Sequence, residues 1–321
     1  MQIHQSIFRR LRMLALAGAW VLITPWANAE DIPVMTARQV SPSAWYVEGL
    51  LAAGSPANQN FISNAGFVVT PQGVVVIDAL GSPALATRLM AAIRKVTAVP
   101  ITHLIVTHYH ADHIYGLQSF KAAGVRIVAH RAALAYLNSD AARLRLNASR
   151  QELAPWVDAQ TQLVEADEWL DGARELVVGG TSFQIKPMGP SHTPEDLAVF
   201  LPHEKVLFAG DLVFRNRLPF VGQADSGHWV RALDDLLALH ATVIVPGHGP
   251  VSKDVLEDMQ LTRAYLAHLR ATMGQAAKNM EPFEEAYQAA DWTRFEQLPM
   301  FRFINRMNAY NTYLLMERDG N

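Results

Sequence analysis

The chain has 321 residues, of which 50% are hydrophobic and 18% are charged, and its formal net charge is −3. This composition is typical of a globular protein with one large or two ordinary domains. No block rich in lysine and arginine occurs, so the sequence lacks the electrostatic signature of a nucleic-acid-binding protein. Because there are no cysteines, disulfides are excluded and any metal site must use histidine and carboxylate ligands.

The first 29 residues are typical of a secretory signal peptide. Three arginines lie between residues 9 and 12, an apolar segment over 14–26 is too short to span a bilayer comfortably, and Ala27-Asn28-Ala29 has the form of a cleavage site. A membrane anchor is the alternative interpretation, and Arg9-Arg10 is a loose match to a twin-arginine signal. We predict cleavage after Ala29, which leaves a net charge of −6, a periplasmic location and no membrane association thereafter.

Strand and helix patterns alternate through the first half of the chain. Two apolar runs joined by turn residues predict a hairpin, and helical spacing of apolar residues follows. The predicted order is hairpin, helix, strand, helix, strand and helix, over residues 67–77, 82–96, 101–106, 116–123, 124–129 and 132–146. This order indicates an α/β layered architecture.

Two features of this half each have two interpretations. Asp78 ends the second hairpin strand, where a carboxylate can cap the next loop or orient a metal ligand. Residues 131–170, which include Pro155-Trp156, are either a flap or substrate wall or a surface insertion.

The second half repeats the alternation and ends in helices. Strands are predicted over residues 176–188, 197–201, 206–209 and 243–245, with a helix over 228–240. From residue 252 an apolar stripe at helical spacing predicts a long helix; its members are Val255, Met259, Leu266, Leu269 and Met273. The aromatic tail, 283–315, is predicted to be a helical cap packed on the main domain, with a separate module as the alternative.

The densest group of chemically active side chains follows the strand at 101–106. Three histidines and an aspartate lie within six positions, His108 to His113, and these are ligands that suit zinc. On an extended loop His108 and His110 point the same way and can share one metal, while Asp112 and His113 project toward a neighbouring position.

Three later positions can complete two metal sites. A catalytic zinc usually takes three protein ligands, so we expect His192 to complete the first site and His248 to complete the second. Asp211, with two carboxylate oxygens, is suited to bridge ions about 3.5–4 Å apart.

Taken in order, these motifs resemble those of the metallo-β-lactamase superfamily between Trp45 and Pro250. They are Asp78, His108-x-His110-x-Asp112-His113, Ser191-His192-Thr193-Pro194, Gly210-Asp211 and Gly247-His248-Gly249. The signal peptide and the C-terminal extension further resemble the periplasmic quinoprotein-relay or sulfur-oxidation-type zinc metallohydrolases. The resemblance implies an αββα four-layer sandwich over residues 30–250, with residues 251–321 as a helical extension packed on it.

The chain departs from the family pattern at three positions. Zinc β-lactamases have cysteine or serine where this chain has Asp211, and a bridging aspartate is instead the pattern of glyoxalase-type thioesterases. Ser191 and Glu195 stand where glycine is frequent, which leaves the loop shape and the substrate open. We expect residues 131–170, 212–227 and the C-terminal helices to decide substrate choice.

The resemblance implies a hydrolase with two zinc ions per chain that acts on a small molecule. A metal-bound hydroxide would attack an ester, thioester or lactam-type carbonyl, with Asp112 and Asp211 orienting it as catalytic residues. The alternatives are a β-lactamase, an oxygenase with a single iron as in the persulfide dioxygenases, and a non-catalytic periplasmic zinc-binding protein. Acidic charge and export disfavour the nuclease branch.

The remaining polar candidates carry weaker signals. Arg215 and Arg217 follow Asp211 closely and could bind a substrate carboxylate or phosphate, or could be solvated surface charges. His103 lies within a strand pattern and is expected to be a packed or hydrogen-bonded core residue, and Trp229 is expected to anchor its helix in the core. The histidines without a ligand motif are His130, His203, His228, His240 and His268.

Overall fold

The computed structural model describes residues 34–251 and 253–319. The signal peptide predicted over residues 1–29 lies outside these residues. Across the part of the chain that is described, no helix is both long enough and apolar enough to cross a bilayer.

A seven-stranded sheet, paired in chain order, occupies the first half of the chain. Its strands are β1 (Arg38–Gln39), β2 (Ala44–Val47), β3 (Ala65–Val69), β4 (Val74–Ile77), β5 (Ile101–Ile105), β6 (Arg126–His130) and β7 (Glu168–Leu170). Strands β1 to β4 are antiparallel, and β4 to β7 are parallel. The parallel strands place the carboxyl ends of β4, β5 and β6 at one edge, where α/β proteins place functional loops.

A five-stranded sheet forms from the second half, in the order β12-β11-β10-β9-β8. Its strands are β8 (Arg174–Val178), β9 (Thr181–Pro187), β10 (Leu197–Leu201), β11 (Val206–Phe214) and β12 (Val243–His248). The prediction of one strand over 176–188 is wrong, because Gly179 and Gly180 have φ of 55° and 82° and turn the chain into a hairpin. Two consecutive positive φ angles match the two-residue turns that join antiparallel strands.

Helices cover the outer faces of both sheets. They are α1 (Pro83–Val96), α2 (Ala111–Ile114), α3 (Leu117–Ala122), α4 (Ala133–Leu137), α5 (Asp140–Glu152), α6 (Ser226–Leu237), α7 (Val255–Lys278), α8 (Phe283–Ala289) and α9 (Phe301–Asp319). The single helix predicted over 132–146 is wrong, because Ser139 is extended and caps a new helix by accepting a hydrogen bond from the Ala142 N–H at 3.2 Å.

Alternating side chains of the strands supply three apolar layers. In β4, Val74 and Val76 face α1 and α3, whereas Val75 and Ile77 face the other sheet, as the two-residue period of a strand requires. The outer face of the second sheet packs against α6, α7 and α9. The order helices, sheet, sheet, helices confirms the αββα sandwich.

Two segments that the sequence left open are part of the core. The helices after residue 250 share one buried cluster with the second sheet, through residues such as Met259, Leu266 and Met273. In the 131–170 segment, buried Leu146 and Val157 join the first core, so this segment is not a surface insertion.

Candidate metal centre

Four side chains, two from each sheet, converge into a first ligand group. His108 follows β5, His110 is the N-cap of α2, and His192 lies between β9 and β10. The His110 Nδ1 atom lies 3.2 Å from His108 Nε2 and 2.9 Å from His192 Nε2, and Asp211 completes the group. Two ligand atoms on a tetrahedral zinc, each at about 2.0–2.1 Å, lie roughly 3.3–3.4 Å apart. The three nitrogens are therefore spaced to share one ion.

A second group forms beside it from Asp112, His113 and His248. The Asp112 Oδ2 atom lies 3.7 Å from His113 Nε2 and 3.3 Å from His248 Nε2. The expectation of an extended loop is wrong beyond His110, because residues 111–114 form the short helix α2. This helical turn, rather than strand alternation, directs Asp112 and His113 away from the first group.

Asp211, the fourth member of the first group, also contacts the second group. Its Oδ1 atom is 3.2 Å from His113 Nε2, and its Oδ2 atom is 3.4 Å from His192 Nε2 and 3.3 Å from His248 Nε2. A Cβ atom on Gly247 would lie 2.0 Å from Asp211 Oδ1, so only glycine leaves room for the carboxylate at that position. The carboxylate is thus placed to contact an ion in either group.

The unpaired atoms of the cluster fit metal ions. His113 Nε2 and Asp211 Oδ1 are buried and make no hydrogen bond although they lie 3.2 Å apart. Buried polar atoms without partners are rare in folded proteins, and an ion is one way to satisfy them. A donor set of imidazole and carboxylate, without thiolate, suits zinc and its first-row neighbours.

Asp78 forms hydrogen bonds that connect it to histidines of both ligand groups, to His113 directly and to His108 through Thr107. Its Oδ1 accepts the Thr107 N–H at 2.7 Å, and its Oδ2 lies 2.8 Å from Thr107 Oγ1 and 2.9 Å from His113 Nδ1. Thr107 Oγ1 in turn lies 3.1 Å from His108 Nδ1. Both interpretations of Asp78 hold at once, since one carboxylate caps the loop and orients a histidine of each group.

His248 is oriented by the backbone and approached by an arginine. Its Nδ1 lies 2.6 Å from the Ile62 carbonyl oxygen and 2.8 Å from Arg217 Nη1. A carbonyl only accepts, so we assign the ring proton to Nδ1, which turns the lone pair of Nε2 toward the second group. The Arg217 guanidinium then faces an N–H rather than an acceptor.

Burial and charge separate the two groups electrostatically. Burial lowers the pKa of His192 to about 3 and also lowers the pKa of His108 and of His110. Burial also opposes charging of His113, but the Asp211 and Asp112 carboxylates outweigh it and raise the His113 pKa well above its usual value. The first group therefore presents neutral imidazoles, whereas the second must release a proton when it takes a metal.

The two arginines after Asp211 differ in their surroundings. Arg215 donates to the backbone carbonyls of Pro250 and Val251 at 3.4 and 3.2 Å, so it holds the loop after β12. Arg217 is only 4% exposed, and its Nε is buried without a hydrogen-bond partner. The expectation of a solvated surface charge is wrong for Arg217.

The other predicted side chains lie outside the ligand groups. His103 is hydrogen-bonded, as one alternative predicted, with its Nδ1 3.0 Å from Thr102 Oγ1, but it is half-buried and not part of the core. Trp229 is fully buried as expected, and its ring also packs 5.2 Å from that of His192. The remaining histidines in the described part of the chain belong to neither ligand group; they are His130, His203, His228, His240 and His268.

The two departures from the family pattern near His192 are both buried. Ser191 Oγ lies 3.1 Å from His228 Nδ1, and Glu195 accepts the Tyr109 N–H at 3.2 Å through Oε1. Both side chains therefore support the backbone around ligand residues without reaching the metal groups. This support depends on contacts between segments far apart in the chain, which the motif spacing does not show.

Phe220 was not among the predicted site residues. Its ring lies 5.9 Å from that of His110 and 6.1 Å from that of His192, in both cases nearly perpendicular. It belongs to the irregular loop between β11 and α6, where no periodicity indicates which side chain turns toward the metal ligands.

Comparison with known proteins identifies a family model and several relatives that match this chain. Residues 59–248 match the model of the metallo-beta-lactamase superfamily. The chain is 28% identical over 255 residues to the linear primary-alkylsulfatase of Pseudomonas sp. (strain ATCC 19151), covering 68% of this chain and 48% of that protein. It is 28% identical over 194 residues to the metallo-beta-lactamase type 2 of Bacillus sp. (strain 170), covering 59% and 67%. The chain thus spans about half the length of the alkylsulfatase.

Solved structures share the fold. A metallo-beta-lactamase from Pontibacter korlensis aligns with a TM-score of 0.54 at 22% identity, covering 72% of this chain and 96% of that chain. The TMB-1 structure aligns with a TM-score of 0.58 at 19% identity, covering 74% and 98%. Helices α7 to α9 lie beyond the residues that the family model matches.

Proposed function

Because the chain belongs to the metallo-beta-lactamase superfamily, we propose that it is a zinc hydrolase with two ions per chain, which cleaves an ester, thioester or lactam-type carbonyl substrate in the periplasm. The observation that carries the proposal is that Asp211 belongs to the first ligand group and also contacts the second. A carboxylate within reach of both groups is the arrangement that a two-ion hydrolytic site needs.

The two aspartates of the site have different roles in the proposed reaction. Zinc ions held by these histidines and aspartates would polarise the scissile group and would lower the pKa of a bound water toward about 7. Asp112 has 16% of its side chain exposed, compared with 4% for Asp211. Asp112 is therefore the carboxylate that a proton can reach from the substrate side, and Asp211 serves mainly to orient.

The charge of the centre favours an anionic substrate. Two divalent ions outweigh the two aspartates, and the buried Arg217 adds a positive charge that lacks an acceptor at Nε. A buried guanidinium N–H without an acceptor is costly unless an anionic group comes to it. We infer that the substrate carries a carboxylate, sulfate or phosphate close to the scissile bond.

A sulfate ester is the second candidate substrate. The 28% identity to an alkylsulfatase extends over 255 residues, and a sulfate ester meets the same requirement for an anion. A β-lactam has the support of several relatives named as metallo-beta-lactamases, but Asp211 stands where the resemblance implies cysteine or serine in that group. We therefore place β-lactams third.

A substrate panel run beside a metal count tests the proposal. Zinc-loaded protein is assayed with a chromogenic cephalosporin, a thioester, a lactone, an aryl phosphodiester and a primary alkyl sulfate. The expected result is two zinc ions per chain and turnover that is lost in Asp211→Ala but kept in Asp171→Ala, an exposed aspartate outside the site. One iron per chain with oxygen consumption would support the oxygenase instead. Metal binding without turnover of any class would support a zinc-binding protein.

The periplasmic location rests on residues 1–29 and on no other part of the chain. Expression of the full chain in a Gram-negative host, followed by cell fractionation and N-terminal sequencing, is expected to give periplasmic protein that begins at Glu30. Recovery of protein that still begins at Met1 in the cytoplasm would contradict the proposed export.

A further inference from the structure

The loop over residues 215–225 carries an aromatic ring to the first ligand group. Phe220 lies across the rings of His110 and His192 and is only partly buried, whereas Pro219 and Val221 on either side are buried. The ring is therefore the accessible part of residues 217–221, which are otherwise buried. Its position next to the ligands makes it a wall for the group adjacent to a scissile bond.

This loop contains no helix or strand, so its backbone polar groups must find partners elsewhere. Val221 donates its N–H to Asn308 Oδ1 at 2.9 Å, and Asn308 Nδ2 donates to the Pro219 carbonyl at 2.8 Å. The side chain of Asn308 thus makes hydrogen bonds to the backbone on both sides of Phe220. Leu218 adds a further bond from its N–H to the Pro299 carbonyl at 3.0 Å.

Asn308 is itself fixed by a buried polar network within the C-terminal helices. Its Nδ2 donates to Tyr265 Oη at 3.0 Å, Tyr265 Oη donates to Asn305 Oδ1 at 2.8 Å, and Asn305 Nδ2 donates to Tyr287 Oη at 3.1 Å. The Asn308, Asn305 and Tyr265 side chains are at most 1% exposed. Because both protons and the oxygen of the Asn308 amide are used, its orientation is determined, and in a buried network such bonds resist rearrangement.

We propose that α9 is a positioning element for the active site: Asn308 holds the loop so that Phe220 forms the apolar wall of the substrate site beside His110 and His192. The wall selects substrates with an apolar acyl or alkyl group next to the anionic, scissile part. The role of Phe220 toward the substrate rests on the proposed hydrolase function. The role of Asn308 in positioning the loop rests on the hydrogen bonds alone.

Hydrogen exchange tests the positioning without any need for turnover. In Asn308→Ala the buried Val221 N–H loses its acceptor, and we expect exchange in peptides covering Val221 to accelerate roughly tenfold or more. Asn305→Ala is the matched control, because Asn305 belongs to the same helix and network but does not contact the loop. If Asn308→Ala does not fold, Asn308→Ser, which leaves a smaller cavity, takes its place. Unchanged exchange at Val221, or equal acceleration in Asn305→Ala, would overturn the positioning.

A double-mutant cycle tests the wall, with the best substrate of the panel and zinc content checked in each variant. Phe220 contacts the apolar group equally before and during reaction, so Phe220→Ala is expected to raise KM about tenfold with kcat changed less than about threefold. Asn308→Ala should raise KM in the same way in the parent chain but by less than about twofold in the Phe220→Ala background. Additive effects, or an equal KM rise in Asn305→Ala, would show a merely structural role and overturn the proposal.

The two hypotheses fail separately. Absence of turnover for every panel substrate would reject the proposed hydrolase, and the exchange data at Val221 would still decide the role of Asn308. Turnover together with a wild-type KM in Phe220→Ala would reject the wall while leaving the hydrolase intact.

Discussion

Replacement of Asp78 by asparagine tests the hydrogen bond between Asp78 and His113. Asp78 has a φ of 65°, a left-handed conformation that asparagine tolerates. In the Asp78→Asn variant the amide oxygen can still accept the Thr107 N–H. The amide NH2 group then occupies the position that now lies 2.9 Å from His113 Nδ1, so His113 loses the acceptor that its ring N–H needs and faces a second donor.

The magnitude follows from the contact that is lost. A hydrogen bond to a charged acceptor contributes about 1.5–3 kcal/mol, which corresponds to roughly 10–150-fold in an equilibrium constant. Partners that orient metal-ligating histidines are worth about 10–100-fold in metal affinity. We therefore expect the zinc ion of the second group to bind roughly 10–100-fold more weakly in Asp78→Asn, with a smaller loss at the first group.

Competition with a chromogenic chelator measures the two stepwise zinc affinities. Asp171→Asn is the control, since that exposed aspartate pairs with Arg131 and belongs to neither ligand group. Two unchanged affinities in Asp78→Asn would refute the role of the carboxylate. Equal weakening of both would show a general loss of structure rather than an effect through His113.

Three further predictions concern Asp211, the removal of zinc and the buried Glu195. Asp211→Ala should lower kcat/KM by about a thousandfold, since it removes the residue that we propose as a ligand of both ions, and kinetics at saturating zinc would contradict this if the loss were less than tenfold. Removal of zinc with a chelator should lower the free energy of unfolding by at least about 2.7 kcal/mol relative to protein in zinc at 100 times its dissociation constant; identical denaturation curves would contradict it. Burial raises the pKa of Glu195 above its ordinary value, so the folded state keeps the carboxyl proton to higher pH than the unfolded state does. This difference in proton binding stabilises the folded state at low pH, and its contribution is lost as pH rises through the pKa of the folded state. The stability of Glu195→Gln relative to the parent chain should therefore rise with pH above about 4.3, by at most about 1.4 kcal/mol per unit, and a pH-independent difference in urea denaturation of metal-free protein would contradict it.

Local pattern was enough to predict an α/β layered architecture, the family resemblance implied the αββα sandwich, and the motifs singled out seven candidate ligands. Strands such as β4 and β12 are short apolar runs that end at glycine, aspartate or histidine, and both signals lie within a few residues. The candidate ligands come from both sheets. Residues 108–113 follow β5 of the first sheet, whereas in the second sheet His192 follows β9, Asp211 lies within β11 and His248 ends β12. How the ligands divide into two groups was also anticipated, although the helical turn α2 that separates them was not.

Contacts between distant segments account for what the sequence did not reveal. The Ile62 carbonyl reaches His248, and Asn308 reaches Val221, across stretches of chain that no periodicity connects. Arg217 looked like a possible surface charge because nothing in its neighbours shows that the loop folds inward. The Gly179-Gly180 pair was a readable hairpin signal, and its turn geometry divides what had been predicted as a single strand.

Anomalous diffraction at the zinc edge, on crystals of zinc-loaded protein, tests the central claim most directly. We predict two peaks about 3.5–4 Å apart, one against His108, His110 and His192 and the other against Asp112, His113 and His248, with Asp211 in contact with both. A single peak, or two peaks of which only one contacts Asp211, would contradict the proposed two-ion centre.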